Sequence, residues 1–258
     1  MALATVSVAL RTLRRTVANL EHFAGLPAEH MLPLGISALD SALGGGLSRQ
    51  ALHEIYPAAP IHFGAASGLA LSLAVRAGRA MLWIQSDFAG RETGFPYAPG
   101  VDVFGLPAER LLVLRVPRAI DALFAMEEAL KCRALGGIVT ELTDDGSADL
   151  TATRRLSLAA RNGSTLGLLL RHCAPLATSA AATRFEIAAA PSKHDGYGGL
   201  GVTTFLLSLV KNRRGPCGRW AISWDHHDHV FRPAAHSLGL ASAAGDRPDR
   251  TVRVARAG

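Results

Sequence analysis

A chain of 258 residues that is 49% hydrophobic and 6% aromatic is long enough for one well-buried α/β domain and too apolar for global disorder. It contains no uncharged apolar run of about eighteen residues, so no helical membrane span is expected, and its net charge of +6 favours an anionic partner, nucleic acid first. Cys132, Cys173 and Cys217 are odd in number, far apart and without a C-x-x-C spacing, which argues against a disulfide framework or a zinc site and for a reducing, cytoplasmic setting.

Residues 1–30 form the first unit. Leu3, Val6, Leu10, Leu13, Val17 and Leu20 recur at three- and four-residue intervals, with Arg11, Arg14 and Arg15 off the stripe, the pattern of an amphipathic helical arm that docks on its own core or on a neighbour. No acid precedes Glu21, so an organelle transit peptide is an alternative, whereas the absence of a long uniform apolar stretch argues against a secretory signal.

Residues 31–232 form the second. Strands are predicted at Ala51–Tyr56, Ala80–Ser86, Leu111–Val116, Gly137–Leu142 and Thr165–Arg171, and helices at Ala65–Ala77, Arg118–Arg133 and Leu150–Asn162. This alternation predicts a parallel sheet covered on both faces. Arg184–Ala190, Val202–Lys211, Arg219–Trp224 and His229–Phe231 then read as consecutive antiparallel strands with turns at Arg213–Pro216 and Asp225–Asp228. The remaining 233–258 segment is rich in Ala, Gly, Ser and Arg without periodicity and reads as a flexible basic tail.

The most telling segment is Leu34–Leu47, in which Gly35-Ile36 is followed by Leu39-Asp40, Leu43 and the run Gly44-Gly45-Gly46 before a strand ending Glu54-Ile55-Tyr56. Leu39 and Leu43 anchor a helix, and the glycines permit a tight turn into the first central strand. This order resembles the entrance to the RecA-type ATPase core, which implies an α/β fold with a mostly parallel central sheet and antiparallel C-terminal strands. The phosphate loop of that core, G-x-x-x-x-G-K-[ST], is degenerate here. The segment Pro57–Ala70 keeps Gly64 and Gly68 but carries Leu69 and Ala70 where the lysine that reaches the β/γ-phosphates and the hydroxyl that holds Mg²⁺ would stand. Pro57 and Pro60 also remove N–H donors ahead of it.

Other positions fit the same core. Asp87 follows a strand where such ATPases hold a catalytic carboxylate, and Glu141 ends Gly137-Ile138-Val139-Thr140-Glu141 at the usual Walker B acid. Deprived of the lysine and hydroxyl, the pair reads as relic acids or local hydrogen-bond acceptors. Arg171-His172 falls at a polar sensor pair, but the small apolar residues after it lack the cations of a DNA-binding loop. Lys211-Asn212-Arg213-Arg214 stands where RecA-like filaments carry cations that reach a neighbour's nucleotide. It is read either as a partner or DNA-phosphate contact or as a solvated hairpin tip. His226-His227-Asp228-His229 is a polar turn in preference to a metal site, since adjacent residues point to opposite faces. Ser157, Ser164 and the cysteines have no nucleophile-elbow context.

Together with Gly136–Leu142, the block Lys211–Trp220 and Asp246-Arg247-Pro248, these features resemble the ImuA family, RecA-like accessory proteins of SOS mutagenesis. The resemblance spans nearly the whole chain. It implies a non-catalytic role in DNA-damage-induced, error-prone translesion synthesis at the nucleoid. The implied partners are an ImuB-type inactive Y-family polymerase, with RecA and an error-prone replicative-type polymerase subunit as further candidates. No cofactor, metal or membrane is implied, and weak direct DNA binding stays open. The contact residues would be Leu3, Leu10, Leu13, Val17 and Leu20 of the arm and Lys211, Asn212, Arg213 and Arg214. Two rival readings are a DNA-stimulated RecA-type ATPase with an atypical loop and an SOS cell-division inhibitor.

Overall fold

The computed structural model describes residues 30–143, 146–163, 165–173, 178–192 and 201–234; the arm residues Leu3, Leu10, Leu13, Val17 and Leu20 and the tail beyond Ala234 lie outside them. The chain enters through β1 (Met31–Leu32) and α1 (Ser37–Ala42), and β2 (Leu47–Ser48) pairs antiparallel with β1. The Asp40 carboxylate accepts the backbone N–H groups of Leu34 (2.7 Å) and Gly35 (2.9 Å), closing the loop ahead of the helix. Leu39 and Leu43 are buried, as their spacing predicted. The glycine run turns the chain into β2 before it reaches the central sheet, which differs from a direct turn into the first central strand. Only glycine suits Gly46, where φ is +129° and a Cβ would lie 2.4 Å from the Leu32 carbonyl oxygen.

The main sheet has nine strands in the order β11-β10-β9-β8-β3-β7-β6-β4-β5. They are β3 (Leu52–Pro57), β4 (Ala80–Ser86), β5 (Leu111–Val116), β6 (Leu135–Leu142), β7 (Leu166–Arg171), β8 (Thr183–Ala189), β9 (Thr204–Asn212), β10 (Gly218–Asp225) and β11 (Val230–Pro233). Strands β8, β3, β7, β6, β4 and β5 are mutually parallel, and β9 to β11 return antiparallel. This mostly parallel α/β sheet with antiparallel C-terminal strands is consistent with a RecA-like fold. Strands β3, β6 and β7 are buried along their whole length, as unbroken apolar runs in a doubly covered parallel sheet require. Helix α2 (Phe63–Arg76) packs on one face with Ile55, Val139, Leu168 and Phe205; α5 (Ala119–Ala129) and α6 (Leu150–Asn162) cover the other with Leu52, Ile84, Ile138 and Leu169. Two short helices, α3 (Asp87–Thr93) and α4 (Ala98–Val103), fill the connection after β4. Strand β5 ends the sheet with Leu112, Val113 and Leu114 exposed.

The central strand carries two polar residues that the packing must accommodate. Glu54 is fully buried; its Oε2 accepts from Arg184 Nε on β8 at 2.5 Å, and its Oε1 lies 3.6 Å from the Arg171 guanidinium on β7. Removing the buried carboxylate leaves the charges of Arg171 and Arg184 uncompensated, so Glu54→Ala is expected to lower unfolding free energy by about 3–5 kcal/mol, measured by urea denaturation.

His53, also buried, sits between Thr183 Oγ1 (2.7 Å) and the Ser48 carbonyl oxygen (2.9 Å). Burial lowers its pKa from 6.5 to about 4, outweighing the hydrogen bond to Ser48; the positive charge of Arg214 adds to the lowering. The unfolded chain therefore binds the extra proton between those values, and stability falls as pH drops from 6.5 toward 4. The loss for this group is at most about 3 kcal/mol. Denaturation of His53→Asn across the same range should show a shallower acid-side slope with lower stability at neutral pH.

Candidate functional site at the carboxyl edge of the sheet

Open parallel sheets bind ligands beyond the carboxyl ends of their strands, where the strand order reverses. Here β3 is followed in sequence by β4, with β7 and β6 between them in the sheet. The structure places several sequence-predicted residues at this edge. After β3 the chain makes one 3₁₀ turn, Pro60–His62, and α2 begins at Phe63. The helix thus starts two residues before the predicted Ala65, and Gly64 and Gly68 lie inside it. Leu69 and Ala70 are fully buried in the core beneath the sheet. Gly68 lets the Phe104 and Phe205 rings approach, since a Cβ there would be 3.3 Å and 3.5 Å from them. Leu69 and Ala70 therefore serve as packing, and Pro57–Ala70 supplies no Lys or Arg side chain.

Glu141, near the end of β6, is 2% exposed. Its Oε2 accepts from Trp83 Nε1 (3.2 Å) and Gln85 Nε2 (2.9 Å); its Oε1 accepts from Thr93 Oγ1 (2.5 Å) and pairs with His172 Nε2 (2.8 Å). Two partners on each oxygen fill the acceptor positions of an ionised carboxylate. Thr93 Oγ1 also lies 2.9 Å from the Ala89 carbonyl oxygen, so its single proton serves one of two acceptors. Gln85 Nε2 also donates to the Gly94 carbonyl oxygen at 2.8 Å, and the Phe63 ring meets the His172 ring edge-on at 4.5 Å. The network pins the start of α2, the end of α3 and the residue after β7 to one buried acid.

Asp87 is separated from this network. It opens α3, behind the Ser86 cap that accepts from Ala89 N–H at 3.2 Å, and pairs with Arg115 at 3.1 Å on the surface. Lys211, Asn212 and Arg214 are half-buried and engaged in their own fold. Lys211 Nζ donates to the Ser179 carbonyl oxygen (2.6 Å), Asn212 Nδ2 to the carbonyl oxygens of Ala42 (2.8 Å) and Pro216 (3.1 Å), and an Arg214 guanidinium nitrogen lies 3.0 Å from Met31 Sδ. Burial lowers the pKa of both Lys211 and Arg214; for Lys211 the neighbouring Arg213 and Arg184 add to it while Glu54 opposes it. Arg213 alone of the four is exposed, so this hairpin end is not simply a solvated tip. It also lies at the opposite edge of the sheet from Glu141, since Asn212 pairs with Thr183 at the start of β8.

In the His226–His229 turn, Asp225 Oδ1 accepts from the N–H groups of His227 and Asp228, and His226 spans Thr203 Oγ1 and the Val103 carbonyl oxygen. No metal-holding group of three His, Cys, Asp or Glu side chains occurs among the described residues.

Trp83, Gln85 and Thr93 were missed as site residues. The signal available was an acid at the end of an otherwise apolar strand, which requires buried donors on the neighbouring strands. No protein-family profile matches the chain. Two curated proteins named Protein ImuA, from Caulobacter vibrioides strains NA1000 / CB15N and ATCC 19089 / CIP 103742 / CB 15, are each 31% identical to it, over 83% of this chain and 94% of their own length. The chain belongs to the ImuA family. In this member Leu69 is a core residue and Glu141 is a buried acid engaged by side chains of its own fold. Restoring the lysine and hydroxyl with Leu69→Lys and Ala70→Ser should therefore insert a charge into a dry core and destabilise the protein by several kcal/mol, with no gain in ATP turnover in a phosphate-release assay.

Proposed function

We propose that this ImuA-family chain is a non-catalytic, RecA-like accessory protein of SOS-induced, error-prone translesion DNA synthesis, with a pseudo-ATPase core. The observation that carries the non-catalytic reading is Glu141, whose two carboxylate oxygens are each engaged by two side chains of the protein itself. It is supported by Leu69 and Ala70 in the core and by a segment after β3 without a cation. Phosphoryl transfer depends on positioning and on positive charge at the transferred group, and the absence of Lys and Arg from Pro57–Ala70 supports this reading.

The protein acts in the cytoplasm through contacts with other components of the mutagenic polymerase assembly. An ImuB-type inactive Y-family polymerase is the first partner, and RecA and an error-prone replicative-type polymerase subunit are further ones. The apolar stripe Leu3–Leu20 of the arm is suited to a partner's helix or groove.

Titration calorimetry with Mg·ATP should give no binding heat at millimolar nucleotide; saturable binding lost in Gly68→Val would overturn the pseudo-ATPase reading. In a pull-down from DNA-damaged cells, the full chain should retain the inactive polymerase and a chain lacking residues 1–25 should lose it. Retention by both would move the interface off the arm.

A further inference from the structure

We infer that the amino-terminal edge of the nine-stranded sheet, opposite Glu141, is a docking rim for the phosphate backbone of duplex nucleic acid. The parallel strands begin at this edge and β9 ends there, so the turns before β3, β4, β6 and β7 and the β9–β10 turn lie side by side. These turns carry Arg49, Arg79, Arg133 and Arg213, and α2 and α6 end at the same edge with Arg76 and Arg161. Residues 48–51, 77–79, 131–134, 161–163 and 213–217 contain no Asp or Glu.

Position at a helix C-terminus accounts for Arg76 and Arg161, which complement the helix dipole. It does not account for the four in the turns. None of the six has a carboxylate partner among the described residues, whereas Arg115, Arg118, Arg155 and Arg232 elsewhere do. Three are held in place through backbone carbonyl oxygens: Arg49 on Ala77 (3.1 Å), Arg76 on Pro33 (2.9 Å) and Arg79 on Arg133 (2.5 Å). That tethering reduces the side-chain entropy lost on binding and leaves further N–H groups on each guanidinium. Arg49 and Arg79 are close enough that, after burial, the charge of Arg79 is the second cause lowering the pKa of Arg49. Such mutual repulsion without acids is relieved by an anionic partner.

Length and composition indicate which anion. From β9 to β4 the rim crosses five strand spacings, about 24 Å, the axial length of roughly seven base pairs of a duplex. The five turns contain no Phe, Tyr or Trp, so they lack the stacking platforms with which proteins hold single strands. The carboxyl edge, by contrast, mixes its cations with acids: Asp87 pairs with Arg115 and Asp121 with Arg118, and Glu92 and Asp149 lie nearby, whereas the one acid pair beside the rim is Glu128 with Lys131. A duplex would therefore engage one edge only, irrespective of whether the chain binds nucleotide.

Fluorescence anisotropy with labelled duplexes of unrelated sequence, titrated with salt, tests the rim. Arg133, Arg161 and Arg213 are exposed, and their combined replacement by alanine removes no side-chain hydrogen bond described above; a matching thermal melt confirms that the fold is retained. Wild-type protein should bind all sequences alike, and the triple variant should weaken binding more than tenfold at low salt and flatten the log Kd against log salt slope by about 3. Arg91→Ala with Arg118→Ala, at the carboxyl edge, should change Kd less than twofold. No duplex binding by the wild type at low salt, an unchanged slope in the triple variant, or capture of phosphatidylserine vesicles without duplex binding would each overturn the assignment.

Discussion

The centre of the sheet is organised around a charge that cannot be left alone. Glu54 lies in β3, the strand flanked by β7 on one side and β8 on the other, and each neighbour contributes the arginine that compensates it. A carboxylate in a dry interior forces its cationic partners into register. The pairing therefore constrains the three strands on which α2, α5 and α6 pack, and with them the edge where Glu141 sits. Both buried acids are resolved in the same way, by groups the fold itself supplies. One is neutralised by guanidiniums and the other is surrounded by neutral donors and an imidazole. A carboxylate retained in this manner contributes to architecture, and its presence at a Walker-B-like position is by itself poor evidence of catalysis.

The strand and helix alternation of residues 51–171 was legible because parallel strands buried on both faces are continuous apolar runs, and α2, α5 and α6 each lie within a few residues of their sequence-based bounds. The antiparallel ending was legible from its alternation and polar turns. Helices α3 and α4 were not, since each is a short helix with glycine or proline inside it and exposed residues along much of its length. The turn at Gly44–Gly46 was read correctly as a turn, but its destination depended on the pairing of β2 with β1, which no local pattern encodes.

The site was legible in part. The absence of Lys and Arg from Pro57–Ala70 can be read letter by letter, yet the surroundings of Leu69 and Ala70 cannot. That Leu69 and Ala70 turn into the core depends on where α2 begins, and its start at Phe63 follows from the 3₁₀ turn at Pro60–His62. The donors to Glu141 come from β4, α3 and the residue after β7, up to 58 positions away in sequence. Their convergence is a property of strand order. The cationic edge is similar: each arginine is unremarkable in its own turn, and only the parallel topology lines them up.

Strand β5 closes the sheet with Leu112, Val113 and Leu114 facing outward and, among the described residues, no strand beyond it. Its one charged residue, Arg115, is taken up by Asp87 and by the Phe95 ring. Natural sheets guard such edges with lysines, prolines or bulges, and β5 has none. Such an edge offers unpaired backbone groups to a second strand, a liability separate from the folding free energy. A fully folded molecule with an edge of this kind is still open to edge-to-edge strand addition as it is concentrated, and strengthening the core does not close that route.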